Sequence, residues 1–176
     1  MKYWQKIMKR ILFFICTMVL LSSCGASGRA ARTAEEAAER AAIIQAIEQA
    51  DFILDVNHII PQGFPAKSTT GEYELRLKGD VVTTRLPFIG VSREATYAGV
   101  DEISIVFEDE KVDLRRDFSK VSSKGEYTYI FKGGKGRTPW TVTLDIFESG
   151  SATIRCTNSD GRVMTYYANL VIPEKK

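Results

Sequence analysis

The apolar residues of this chain follow three different patterns. Ile11 to Leu21 form a continuous run broken only by Thr17. Between Thr33 and Ala50 the large apolar residues Ile43, Ile44 and Ile47 recur at helical spacing, among alanines and glutamates. From Asp51 onward the period is two, the signature of strands with one buried face. Phe52, Leu54 and Val56 alternate with Ile53, Asp55 and Asn57, and Tyr73, Leu75 and Leu77 with Glu74, Arg76 and Lys78. Val82, Thr84 and Leu86 return after Gly79-Asp80, a tight-turn signal. Ile103, Ile105 and Phe107 follow, then Val112, Leu114 and Arg116, then Tyr127, Tyr129 and Phe131. Val142, Leu144 and Ile146 turn at Glu148-Ser149-Gly150-Ser151 into Ala152, Ile154 and Cys156. Met164, Tyr166, Ala168 and Leu170 form the last strand.

These patterns predict an all-β fold with one N-terminal helix. About eight or nine strands form an antiparallel meander, because no crossover helix is present for parallel pairing. A curled sheet, barrel or sandwich would manage the strand edges. The expected divisions are a leader over 1–23, a flexible tether over 24–32, a helix over 33–50 and a β domain over 51–172. Thr33 and Glu36 fit a capping box at the helix start, and Glu36 can pair with Arg40. The longest irregular stretches are expected near 58–71 and 87–101.

The first apolar run is too short for a bilayer, which takes ~20 residues. It follows Lys2, Lys6, Lys9 and Arg10 with no acid, the layout of a signal peptide. The residues that close it, Leu21-Ser22-Ser23-Cys24, resemble the lipobox of bacterial lipoproteins. That resemblance implies lipidation of the Cys24 sulfur, cleavage before Cys24 and acylation of the new amine, for instance with palmitate. Several acyl chains hold a protein on a membrane where one does not. The competing reading is an ordinary secretory signal cut near Ser23, leaving Cys24 a free thiol. Gly25 to Arg32 carries no acid, a feature resembling default outer-membrane sorting, with the domain facing the periplasm.

Cleavage changes the charge. The whole chain has 24 basic and 22 acidic residues, a net +2; losing four cations and no acid leaves 20 against 22, a net −2. Nucleic-acid binding is disfavoured by that balance and by export. Of three cysteines, Cys16 leaves with the leader and Cys24 takes lipid, so Cys156 has no disulfide partner. Its strand position suits a small buried hydrophobe.

Candidate chemistry is sparse. His58 is the only histidine, and no cysteine or carboxylate is spaced around it as a zinc ligand set. Lys132-Gly133-Gly134-Lys135-Gly136-Arg137 lacks phosphate-loop spacing and a following helix, and reads as a mobile hairpin loop. Glu108, Asp109, Glu110 and Asp113 lack calcium-loop spacing and read as a solvated turn. No metal or cofactor is implied. Tyr127, Tyr129, Phe131 and Tyr166 are candidates for lining an internal cavity, though alternating aromatics also build cores. Asp113, Asp117, Glu126 and Asp145 are the candidate carboxylates of a hydrolase, but strand parity alone brings no two of them together.

Three stretches in order add a family resemblance: Phe52-Ile53-Leu54-Asp55-Val56-Asn57 leading to Pro61-Gln62-Gly63, then Leu86-Pro87-Phe88-Ile89-Gly90, then Ile146-Phe147-Glu148-Ser149-Gly150-Ser151-Ala152. Over about residues 50–172 the chain resembles an uncharacterised family of bacterial envelope lipoproteins, domain of unknown function 4251. The chain departs from the family pattern at Ile89, where an aromatic is usual, and at Val91, where an arginine is. The resemblance implies an exported, lipid-anchored β domain and carries no catalytic residue. The expected function is a non-enzymatic, periplasm-facing outer-membrane lipoprotein that binds a small apolar ligand or an envelope partner. The alternatives are a carboxylate-dependent envelope hydrolase and a purely structural or assembly module.

Overall fold

A computed structural model describes residues 26–63, 65–69, 73–88, 104–135 and 139–173, with side chains described from residue 35 onward. The apolar run over 11–21 and Cys24 lie outside the described residues. Helix α1 spans Ala26–Gln49. It starts earlier than expected, so residues 26–32 of the expected tether are helical, in keeping with the strong helix propensity of alanine. No described helix is long and apolar enough to cross a membrane. The chain divides into a unit ending at Glu39 and a unit from Arg40 onward. The Arg40–Gln49 part of α1 belongs with the β unit.

Ten strands follow: β1 Asp51–Pro61, β2 Lys67–Ser68, β3 Glu74–Lys78, β4 Val81–Pro87, β5 Ser104–Lys111, β6 Arg115–Asp117, β7 Glu126–Gly133, β8 Trp140–Phe147, β9 Ser151–Asn158 and β10 Val163–Val171. A one-turn helix α2, Val121–Lys124, precedes β7. All pairs are antiparallel, in the order β5-β4-β3-β1-β10-β9-β8-β7-β6, with β2 beside β1. The single sheet curls into a half-barrel rather than folding into a sandwich.

The curl follows from one apolar face. Inward residues pair across five strands as Tyr129, Leu144, Ile154, Tyr166 and Ile59, all at most 4% exposed. They join Phe52, Leu54, Leu75, Leu77 and Phe107 in one contiguous core. Burying each such side chain contributes roughly 1.5–3 kcal/mol, and this area drives closure. The last turns of α1 complete the core: Ile43, Ala46, Ile47 and Ala50 are buried. They lie at the end where β1 begins and β8 turns into β9. The Tyr129 hydroxyl donates to the Ile47 carbonyl, and the Arg116 guanidinium donates to the Glu48 carbonyl at 3.3 Å. These contacts satisfy the carbonyls that a helix C-terminus leaves unpaired.

The end strand β5 also meets the segment just after β7, through an antiparallel bridge between Val106 and Lys135, with the Lys135 N–H donating to the Val106 carbonyl at 2.8 Å. The glycine-rich segment is thus held against β5 at Gly133–Lys135, where a mobile loop was expected. Gly134 has φ 97°, and its N–H donates to both Glu110 carboxylate oxygens at 3.0 and 3.2 Å. Glu108 pairs with Lys135 and, at 3.9 Å, with Arg85. The expected acidic turn therefore belongs to β5 up to Lys111 and faces the basic, glycine-rich segment. Of the expected strand around Val112–Arg116, Arg115 and Arg116 fall in β6, which runs on to Asp117.

Candidate functional site

Three of the four candidate carboxylates converge on Lys120, which the sequence did not single out. β6, β7 and β8 align Asp117 with Thr128 and Thr128 with Asp145 on the outer face. The Thr128 hydroxyl donates to Asp145 at 2.8 Å, and the Lys120 ammonium donates to the mostly buried Glu126 at 2.8 Å. Asp113 is exposed outside this group. Hydrogen bonds from Ser119 hold the Asp117 carboxyl below its ordinary pKa, its backbone N–H at 3.1 Å. The bond to Glu126, then the charge of Glu126, raises the Lys120 pKa. The Lys120 ammonium thus stands at the centre of an ion-pair cluster that joins α2 to β7.

The four aromatic candidates are buried, from 0% exposed for Tyr129 and Tyr166 to 3% for Tyr127. Tyr127 and Tyr129 pack edge-on against Phe118, and Phe131 edge-on against Phe107 at 5.6 Å between centroids. The Tyr166 hydroxyl donates to the Pro87 carbonyl at 2.9 Å. Burial pushes the Tyr129 phenol up to about 12, although the nearby Arg116 pulls it down, and it also raises Tyr127 and Tyr166. These rings pack as core members, and both deeply buried hydroxyls already have protein acceptors.

The other candidates stay apart. His58 is exposed, with Nδ1 2.9 Å from the Asn57 amide oxygen. No group of three or more His, Cys, Asp or Glu among the described residues is placed to hold a metal. Cys156 is a free, buried thiol, and burial raises its pKa. A shallow open groove of about 380 Å³ is lined by Arg40, Lys124, Gly125, Phe147, Glu148, Ser149 and Ser151. Arg40 and Glu148 pair across it at 3.4 Å.

The arrangement defines a class: a curled antiparallel half-barrel whose interior is core and whose charged groups pair on its surface. The family follows. The model for the domain of unknown function DUF4251 matches residues 34–170, and the chain belongs to that family. A crystal structure of a DUF4251 family protein from Bacteroides eggerthii DSM 20697 is similar, with a TM-score of 0.56 and 17% identity over 79% of this chain and 91% of that one. At that identity the likeness concerns the fold. No curated protein matches the chain.

Proposed function

We propose that the chain is a lipid-anchored, periplasm-facing lipoprotein of a bacterial outer membrane that acts by binding and not by catalysis. The carrying observation is Leu21-Ser22-Ser23-Cys24 placed directly after a short apolar run with four leading cations. The non-catalytic reading rests on a sequence without a paired nucleophile and base. Between an internal apolar ligand and an envelope partner, burial of Tyr127, Tyr129, Phe131 and Tyr166 favours the partner. The same surface would serve a structural or assembly module.

The anchor is tested by labelling expressing cells with tagged palmitate. Label on the wild-type chain and none on Cys24→Ala is expected. Absence of label, or label that survives Cys24→Ala, overturns the anchor. Native mass spectrometry after gentle extraction is expected to show the chain without an apolar small molecule. A stoichiometric co-purified ligand would restore the ligand reading.

A further inference from the structure

Three separate segments build the shallow groove. Arg40 comes from α1, Lys124 and Gly125 from the end of α2, and the rest from the hairpin between β8 and β9. The Glu148 N–H donates to the Gly125 carbonyl at 3.1 Å, which ties the hairpin to α2. A Cβ on Gly125 would stand 3.1 Å from the Glu148 carboxyl carbon. The glycine thus leaves room for the Glu148 side chain to reach Arg40. A Cβ on Gly150 would stand 3.3 Å from the Ile43 side chain, and the Gly150 carbonyl accepts from the Leu170 N–H at 2.7 Å. Packing and pairing therefore account for Glu148 and Gly150 of this hairpin. They leave Ser149 and Ser151 exposed on the groove.

The groove offers more donors than acceptors. Lys124 is exposed and has no acidic partner among the described residues. The Arg40 pair with Glu148, at 3.4 Å, is longer than the ~2.7–2.9 Å of a charge-assisted hydrogen bond. Most of the guanidinium N–H groups therefore remain unused. The Ser149 and Ser151 hydroxyls are 2.8 Å apart. One hydroxyl hydrogen serves that bond, and the other has no acceptor among the described residues. Two cations stand against one carboxylate, a net +1. The half-buried Phe147 adds one apolar surface. The volume of about 380 Å³ lies within the range of small-molecule sites.

We propose that this groove binds a phosphoryl group, carried on a small body whose apolar side rests on Phe147. A guanidinium, an ammonium and a hydroxyl together suit an anion with several acceptor oxygens. A phosphate monoester presents three, against two for a carboxylate. The planar fork of arginine matches phosphate oxygens pairwise, and the lysine ammonium adds a point charge. Glu148 holds Arg40 at the rim and lowers the net charge, so binding is modest and reversible. A phospholipid head group and a soluble phosphate ester share this chemistry. The proposal rests on the reading of a domain that acts by binding, and it does not depend on the lipid anchor.

The test is a titration of the isotope-labelled full chain with phenyl phosphate at constant ionic strength, followed by NMR. The amides of Gly125, Ser149, Gly150 and Ser151 are expected to shift and to saturate in the millimolar range. Lys124→Ala, Arg40→Ala and Ser149→Ala/Ser151→Ala should each weaken binding at least fivefold. All four side chains are exposed, so the variants should keep the dispersed spectrum of a folded chain. Benzoate should bind at least threefold more weakly than phenyl phosphate. Phosphatidylglycerol vesicles that displace phenyl phosphate would identify the source as a lipid head group, and vesicles that leave it bound would identify a soluble ester. Cys24→Ala should bind phenyl phosphate like the wild type, so failure of the anchor and failure of this groove are distinguishable. No shift at these amides overturns the proposal, as do shifts indifferent to Lys124→Ala and Ser149→Ala/Ser151→Ala. Equal binding of benzoate overturns the phosphoryl assignment.

Discussion

Ile47→Ala tests whether the end of α1 is part of the domain's core or an appendage to it. Ile47 is 0% exposed and belongs to the single core cluster. The substitution removes three carbon atoms, about 2.4 kcal/mol at ~0.8 kcal/mol per methylene. An unfilled cavity adds to that, within the roughly 2–5 kcal/mol seen for large-to-alanine core changes. Alanine's better helix propensity returns about half a kcal/mol. The expected net loss is about 3 kcal/mol, measured by denaturant unfolding, with Tm lower by roughly 6–12 °C. Tyr129→Phe removes the hydroxyl that donates to the Ile47 carbonyl, which also accepts from the Ala50 N–H at 2.9 Å. Because one partner stays, its cost should be only about 1 kcal/mol. The two changes should couple by more than about 0.5 kcal/mol in a double-mutant cycle, since the Tyr129 hydroxyl bonds the backbone of the residue being truncated and both side chains share one core cluster. By contrast, Glu39→Ala, at an exposed position, should stay within about 0.5 kcal/mol. A loss below about 1 kcal/mol for Ile47→Ala would refute the reasoning, showing that the sheet's core closes without the helix.

Strand positions were legible because each strand buries one face, and β8 alternates through all eight residues from Trp140 to Phe147. Places where alternation fails hold information that only pairing contains. In β1 the parity shifts at Asn57, where the register with β10 slips between Val56 and His58. The strand therefore runs on to Pro61, into the stretch expected to be irregular. In β5, Ile105, Val106 and Phe107 are buried in succession. Val106 is out of step with the core-facing residues on either side of it, and its backbone forms the bridge to Lys135. The Lys120 cluster was invisible for the same reason. Its carboxylates lie on three separate segments, and only the joint register of β6, β7 and β8 makes Asp117, Thr128 and Asp145 neighbours. The aromatic candidates show the converse limit. Alternation correctly placed Tyr127, Tyr129, Phe131 and Tyr166 inward, but a core and a cavity wall share that pattern. Only the hydroxyl partners and ring contacts distinguish the two.

Two further perturbations address the seam and the buried phenol. Gly134→Ala puts a side chain on a residue with φ 97°, with its Cβ 3.2 Å from the Phe107 ring, and should cost about 1–3 kcal/mol in denaturant unfolding. A loss below about 0.5 kcal/mol would mean that the seam reshapes freely. Tyr129 sets an alkaline limit. Its folded pKa of about 12 exceeds the ordinary 10, so between these values the folded state keeps a proton that the unfolded state releases. Its contribution is therefore fully present below pH ~10 and is lost as pH rises towards about 12. Two pKa units correspond to about 2.7 kcal/mol, which solvent screening of the phenolate beside the exposed Arg116 reduces to roughly 1–2 kcal/mol. Lys120, also raised, acts in the same direction, so the stability of Tyr129→Phe should still decline there, but less steeply than that of the wild type. Parallel curves of urea midpoint against pH for the two proteins would show that the Tyr129 phenol is not held protonated by the fold.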